Sequence, residues 1–177
     1  MAIFPGYVAP QNLWLDAGVL YYGATPLGAS RDGFQFDPGM DIRNVPFDGQ
    51  HAPNATLDRI ITWKPIIKGK MVEATQSVIN TIYEVGSTSS SITGGYAIVP
   101  KSAGQLFIAG NYITDLFLIG RMQGTQVIKI HFPVALVEKY ALAAKPHNEG
   151  EWDVQFGCRV AVGANLESPP YEIQVLT

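Results

Sequence analysis

A chain of 177 residues with 47% hydrophobic side chains is expected to form one domain, spanning 1–177, that is long enough to bury a core. Its net charge of −3 argues against a nucleic-acid-binding protein, which would carry a basic surface. Only 15% of the residues are charged, which is low for a small monomer and predicts apolar or neutral surface that serves as an interface.

The first eleven residues, 1–11, are predicted to form an N-terminal arm. Pro5 and Pro10 fix φ and lack an N–H donor, so the segment is a poor candidate for core structure. Three of its side chains are nonetheless too apolar for a solvated tail: Phe4, Tyr7 and Val8. We therefore expect the arm to pack either on a neighbouring subunit or back on its own domain. It has neither a basic region nor an unbroken apolar run, so we expect no signal peptide, no membrane anchor and folding in a cytosol.

The two segments after the arm have different residue patterns, one typical of a strand and one typical of a loop. Residues 12–22 alternate like a strand, with Val19 and Tyr21 on its apolar face. Residues 23–56 are rich in Gly, Pro and Asp and predict a long inter-strand loop, in which only Asp41–Phe47 resembles a strand. Because long irregular loops usually carry function, we expect this one to contact another subunit. The candidate contact residues in it are Arg31, Asp32, Phe34, Phe36, Asp41, Arg43, Phe47 and Asp48.

Residues 57–72 predict a strand pair or one bent strand, and Pro65 and Gly69 favour a bend or an edge position. The apolar period then changes to that of a helix over 74–85. Residues 87–95 are Ser- and Gly-rich and predict a flexible connector. Further strands are predicted at 96–99, 105–109, 112–119, 127–132, 133–143 and 171–176, with a polar turn at 145–150.

The clearest strand runs from Glu151 to Val162. Six apolar residues point one way: Trp152, Val154, Phe156, Cys158, Val160 and Val162. Four polar residues point the other way: Glu151, Asp153, Gln155 and Arg159. Cys158 is the sole cysteine, and we expect it to be buried for packing. Together these elements predict a mainly β fold, an antiparallel β-sandwich or barrel with one α-helix packed on its side.

Two polar rows stand out as candidate surfaces. Lys64, Lys68 and Lys70 form a basic row, whereas Glu151, Asp153 and Gln155 form a mostly acidic row. The simpler interpretation is that each is a solvated sheet face. The alternative is that these faces contact neighbouring subunits or line a channel.

No catalytic constellation is evident. His51, His131 and His147 lie far apart in the sequence without a second ligand at metal spacing, and His131 shares a strand face with Lys129, which predicts solvent exposure. The aspartates of the 23–56 segment are better explained by turns than by a calcium loop. We therefore expect no enzyme activity, no cofactor and no metal.

The order of elements and several local phrases resemble the major tail tube proteins of long non-contractile-tailed bacteriophages. The segments that carry the resemblance are 16–23 for the opening strand, 28–33 and 41–49 for the long loop and its short strand, 60–85 for a strand leading into one helix, and 127–136, 151–163 and 171–173 for the final strands.

This resemblance implies a structural protein of the virion tail. Such proteins form hexameric rings, which stack around a tape-measure protein into a tube that conducts viral DNA. The arm and the 23–56 loop would then join successive rings. Because such lumens are usually electronegative, Lys64, Lys68 and Lys70 are expected to face an acidic loop of a neighbouring subunit. Three alternatives remain open: a tail terminator, a capsid-decoration protein and a cytosolic ligand-binding β-barrel.

Overall fold

The computed structural model describes residues 18–28, 30–44, 58–72, 87–100, 106–121, 126–143, 150–165 and 167–176. At 87–92, 95–100, Arg31 and Arg121 only the backbone is described. The described chain is mainly β, and every strand pair is antiparallel. This part of the chain contains no α-helix, only a short 3-10 helix at Ala109–Asn111. The helix predicted over 74–85 lies outside the described residues.

Twelve strands make up the described structure, and they fall into three sheets. They are β1 (Val19–Tyr22), β2 (Thr25–Pro26), β3 (Ser30–Asp37), β4 (Met40–Asn44), β5 (Asp58–Trp63), β6 (Ile66–Met71), β7 (Ser87–Ile92), β8 (Gly95–Pro100), β9 (Ile113–Arg121), β10 (Val127–Ala143), β11 (Glu151–Cys158) and β12 (Glu172–Leu176). The main sheet has eight strands in the order β2-β1-β9-β10-β11-β6-β3, with β12 added to β10. The ribbons β4–β5 and β7–β8 are separate two-stranded sheets.

Strand β10 is the longest element, with 17 residues. Its first part pairs with both β9 and β12, and its second part, from Ala135 to Ala143, pairs with β11. One strand therefore holds three others by main-chain hydrogen bonds. The sequence predicted two strands here, 127–132 and 133–143, because Pro133 cannot donate to a ladder.

Pro133 fits inside β10 because its neighbour strand is irregular at the same level. The β9 register passes from Phe132 opposite Leu116 to Val134 opposite Thr114, which leaves Pro133 and Asp115 between two paired positions. Asp115 has a φ of 56°, and its carbonyl accepts a hydrogen bond from the N–H of Gly23 at 2.9 Å. Pro133 has no N–H to donate to β9, and the Asp115 carbonyl opposite it is satisfied by the N–H of Gly23 instead.

One hydrophobic core lies against the main sheet. Strand β1 contacts β3, so the two ends of the strand order approach each other around this core. Its most deeply buried large side chains include Leu20, Ile67, Leu116, Phe132 and Phe156. Burying such side chains contributes about 1.5–3 kcal/mol each.

Several strand predictions are confirmed. The structure has β9 where 112–119 was predicted, β8 where 96–99 was predicted and β12 where 171–176 was predicted. The alternation in β11 is confirmed, since Val154, Phe156 and Cys158 are all buried. The two strands expected in 57–72 are β5 and β6, which meet at the bend containing Pro65.

The long loop predicted over 23–56 is corrected by the structure in its described part. Strands β2 and β3 occupy most of the described residues from 25 to 37, where loop was predicted. Strand β4 overlaps the short strand predicted at Asp41–Phe47 and confirms it in its described part. The Gly, Asp and Pro residues mark turns between short strands. At the β3–β4 turn, for example, Asp37 Oδ1 accepts the N–H of Gly39 at 2.9 Å, and Gly39 has a φ of 55°.

Four further predictions are wrong. Residues 87–92, predicted as a connector, form strand β7 of a hairpin, and 106–109, predicted as strand, are irregular or 3-10 helical. In β1 the fully buried residue is Leu20, so its core face is opposite to the predicted one. The alternation predicted to Val162 ends at Cys158, because the chain turns away and leaves Val162 fully exposed.

Of the two positions predicted from Pro65 and Gly69, a bend or an edge, the structure shows the bend, and Gly69 lies in a strand inside the sheet. Strand β6 has β11 on one side and β3 on the other. A Cβ at Gly69 would collide with the ring of Phe34 and lie 2.9 Å from the carbonyl oxygen of Gly33. The glycine is therefore required for close approach of β3.

We predict that Gly69→Ala lowers the free energy of unfolding by about 1–3 kcal/mol, because the added methyl pushes the Gly33 backbone and the Phe34 ring of β3 away from β6. Urea unfolding followed by tryptophan fluorescence measures this change. Gly110→Ala is the matched control, since a Cβ there meets nothing within 4 Å. Equal stability of the two variants would contradict the close packing of β3 on β6.

Candidate functional site

The two polar rows predicted from the sequence lie side by side. Strands β6 and β11 are neighbours, with Lys68 opposite Gln155 and Lys70 opposite Asp153. Directly opposite residues project from the same face of a sheet. Apart from Lys64, the basic and acidic rows therefore form one surface within a single chain.

This surface extends over four strands. On β3, Gln35 lies opposite Lys68, and on β10, Lys139 lies opposite Gln155. The six residues that we call the polar tract are Gln35, Lys68, Lys70, Lys139, Asp153 and Gln155. Five of them, all except Gln35, line a shallow depression of about 210 Å³.

Glu151 departs from the predicted solvated face. Its residue surface is only 8% exposed, and its Oε2 lies 3.6 Å from Nζ of Lys70. A carboxylate that is taken out of water needs a counter-charge nearby. The acidic partner of Lys70, expected from a neighbouring subunit, is thus supplied by the adjacent strand of the same chain. The exposed Lys64 lies in the β5–β6 connection and not in the tract.

A second ion pair is built on a β-bulge. The β10–β11 register shifts between Val137 and Lys139, so Glu138 is an extra residue. Its carboxylate accepts hydrogen bonds from Arg159 Nη2 at 2.7 Å and from Gln155 Nε2 at 2.8 Å. Gly157 makes room for this arrangement, since a Cβ there would collide with the Glu138 carboxylate.

The pKa of Glu138 reflects two opposing effects. Desolvation by burial raises the pKa, but the hydrogen bonds from Arg159 and Gln155, together with the charge of Arg159, outweigh it and hold the pKa below the ordinary glutamate value. The ionised carboxylate is therefore the form that the fold stabilises.

The ribbon β4–β5 exposes apolar side chains. Ile42 and Ile60 lie directly opposite each other and are 52% and 48% exposed, and Ile61 is 55% exposed. The ribbon is joined at its far end by the 2.7 Å hydrogen bond from Asn44 Nδ2 to Asp58 Oδ1. We call this surface, formed by Met40, Ile42, Ile60 and Ile61, the apolar ribbon.

The candidate contact residues predicted from the sequence lie in different environments or outside the described residues. Phe4, Tyr7, Val8, Phe47 and Asp48 lie outside the described residues. Asp41 and Arg43 are exposed on β4, and Asp32 is exposed on β3, in which the β6 register is irregular between Ser30 and Phe34. Arg31 lies in the same stretch, with only its backbone described.

Phe34 and Phe36 are partly buried and pack against the core. The ring of Phe36 meets Phe132 at 6.0 Å and Tyr171 at 5.2 Å between centroids, both edge to face. Tyr171 in turn meets Trp63 at 5.8 Å. This aromatic chain runs from the core to the base of the ribbon, and nothing in the sequence pattern linked its four members.

His131 is less exposed than predicted, with 18% of its side chain accessible. Its ring stacks on Phe117, with 4.5 Å between centroids, and Lys129 Nζ lies 3.8 Å from the same Phe117 centroid. Nε2 lies 3.1 Å from Asp115 Oδ1, and Nδ1 lies 3.8 Å from Glu172 Oε2. The two carboxylates lie beside opposite ring nitrogens, so His131 connects β10 to β9 and to β12.

Cys158 is buried, as predicted. Its Sγ donates to the carbonyl of Pro170 at 3.1 Å, and burial raises the pKa of the thiol to about 12. A thiol in this state is a poor nucleophile at neutral pH.

Within the described ranges, no three or more His, Cys, Asp or Glu side chains cluster so as to hold a metal ion. No helix in the same part of the chain has the length and apolar character to cross a membrane. No model of a known protein family matches the chain, and a comparison with curated proteins found no match.

We predict that Glu138→Gln reduces stability at neutral pH by about 0.5–1 kcal/mol, the range of a partly exposed ion pair. Because the folded pKa is lowered, the stabilisation is complete above the ordinary glutamate pKa of about 4.3 and is lost as the pH falls through the lowered value. Urea unfolding at pH 7 and at pH 3 measures the difference, which should shrink at pH 3. Glu167→Gln, at an exposed position, should show no such trend.

The polar tract leads to a second prediction. Lys70→Glu places a third carboxylate beside Glu151 and Asp153 and should lower the melting temperature by several degrees, since about 1 kcal/mol corresponds to about 2–4 °C at this size. Lys68→Glu should change the melting temperature little, because residue 68 lies opposite the neutral Gln155. Thermal melts followed by circular dichroism separate the two, and equal losses would contradict the assigned register.

Proposed function

We propose that this chain is a structural subunit of a phage tail tube, which assembles into stacked hexameric rings that conduct viral DNA. The observation that carries the proposal is the apolar ribbon. A cross-strand pair of isoleucines with about half of its surface in water is unfavourable for a monomer, because about 25 cal/mol is gained per Å² of apolar surface buried.

A second apolar surface supports self-assembly. Strand β12 exposes Ile173, Val175 and Leu176, which are 55%, 57% and 49% accessible. The ribbon and β12 are different surfaces of one molecule, and contact between unlike surfaces generates rings when the rotation closes and filaments when it does not. Such contacts suit a polymer of identical subunits.

The proposal also rests on the order of sequence elements that resembles tail tube proteins. It includes the finer architecture of that family, a β-sandwich or barrel with one α-helix over 74–85 packed on its side. Partners would be further copies of the chain, the tape-measure protein and other tail proteins, with transient passage of DNA. The site of action would be the virion tail, assembled in the host cytoplasm, and no catalysis is involved.

Negative-stain electron microscopy of the purified protein over a concentration series, with light scattering for mass, tests the proposal. We expect hollow tubes of stacked rings. Single rings that do not stack would favour a tail terminator, and assembly only on capsids would favour a decoration protein. Monomers that bind a small molecule would favour the ligand-binding barrel.

Point variants connect this test with the apolar ribbon. We predict that Ile60→Lys abolishes tube formation, because it places a charge at the centre of the buried contact. Thr62→Lys is the matched control, since Thr62 is exposed on the same strand but lies opposite Asp41 and not Ile42. Tubes that form equally well from both variants would exclude the ribbon as the contact.

A further inference from the structure

The polar tract surrounds a depression whose floor is main chain. Gly69 and Val154 lie opposite each other, and this pair faces the core, since Val154 is buried and a Cβ at Gly69 would meet the ring of Phe34. On the outer face the pair therefore presents only backbone, and the side chains of the neighbouring rows stand around it. The side chains that line this depression of about 210 Å³ are those of Lys68, Lys70, Lys139, Asp153 and Gln155.

One row across the depression carries two cations without a counter-charge. Lys68 and Lys139 both lie opposite Gln155, one on each side of it. Because neighbouring strands are about 4.8 Å apart, the two lysines start about 10 Å from each other, and their long flexible stems allow both ammonium groups to reach one anion above Gln155. Both lysines are exposed, and in the described part of the chain neither forms an ion pair. An anion bound there would displace no internal partner.

The depression also offers hydrogen-bond acceptors. Lys70 lies 3.6 Å from the carboxylate of Glu151, whereas Asp153, directly opposite Lys70, forms no ion pair among the described residues. The amide of Gln155 is oriented by its Nε2, which donates to Glu138 at 2.8 Å, so its Oε1 is available as an acceptor. A ligand that binds here therefore meets cations in one row and acceptor oxygens beside them.

The spacing of these groups indicates the chemistry of the ligand. Asp153 lies two residues from Gln155 along β11, which places the acceptor about 7 Å from the cationic row at 3.3 Å per residue. A phosphate monoester carries a charge of about −1.5 to −2 at pH 7, which matches two unpaired lysines. We propose that the depression binds a phosphate monoester that also carries a hydroxyl group. The phosphate lies between Lys68 and Lys139, and the hydroxyl donates to Asp153. This site does not depend on the proposed tube.

Duplex DNA fits the depression less well. Its phosphates are diesters, which carry one charge each and have no hydroxyl beside them. A DNA-binding surface is expected to be basic over a large area, whereas this chain has a net charge of −3 and the tract itself contains Asp153. Binding of DNA is therefore an alternative that the experiment must separate from binding of a small monoester.

Equilibrium dialysis of the full chain with ³²P-labelled glycerol 3-phosphate at low ionic strength tests the site, and it measures free and assembled protein alike. We expect saturable binding of one molecule per chain. Lys68→Gln and Lys139→Gln should each weaken it about fivefold, because each removes one charge-assisted contact. Lys64→Gln is the matched control, since Lys64 is an exposed lysine outside the tract and its loss should leave the affinity unchanged.

Competition with unlabelled compounds tests the chemical class. Glycerol should not compete, and inorganic phosphate should compete less well than glycerol 3-phosphate. Asp153→Ala should abolish this preference, because it removes the acceptor for the hydroxyl without removing either lysine.

Four results would each overturn the proposal: no saturable binding, equal weakening by Lys64→Gln, equal competition by inorganic phosphate, or a preference that survives Asp153→Ala. Stronger displacement by duplex DNA than by glycerol 3-phosphate at equal phosphate concentration would overturn it in favour of a nucleic-acid surface. Melting curves verify that the variants are folded, and if one lysine variant does not fold, the other decides.

Discussion

The continuity of β10 is the constraint on which the rest of the structure depends. One strand satisfies the main-chain hydrogen bonds of β9, β12 and β11, and its inward side chains Phe132 and Ala135 are completely buried. β10 changes partner from β12 to β11 between His131 and Ala135, and the bulge at Glu138 lies within the part that is paired with β11. The ion pair with Arg159 is built on this bulge.

The two kinds of surface on the molecule differ in how their polar and apolar groups are satisfied. In the polar tract, Lys70 finds a counter-charge, Glu151, on the neighbouring strand of the same chain and lies opposite Asp153. The apolar ribbon has no such internal compensation among the described residues, and Ile42 and Ile60 stay half in water. In the proposed assembly, burial of the apolar ribbon would drive association, and charge would contribute mainly to the orientation of the subunits.

Sequence periodicity predicted the strands that have one face in the core. Glu151–Cys158 alternates because one face of the strand packs in the core and the other does not. The apolar and polar residue types alternate accordingly. It failed at β2 and β3, where turns and an irregular register interrupt the alternation and Gly and Asp suggested a loop, whereas β4 overlaps the strand predicted at Asp41–Phe47. It could not show that Lys70 meets Asp153, because pairing between strands distant in sequence depends on the whole topology. The contact between Trp63 and Tyr171 was missed for the same reason, since these residues come from two separate segments.

The buried thiol of Cys158 makes the chain convenient for chemistry at other positions. Its side chain is closed off by packing and by the carbonyl of Pro170, and its high pKa keeps it protonated at neutral pH. A maleimide reagent should therefore not react with the native cysteine and should react only with a cysteine introduced on the surface. Fluorophores or gold particles could be attached at chosen sites without first removing the natural thiol.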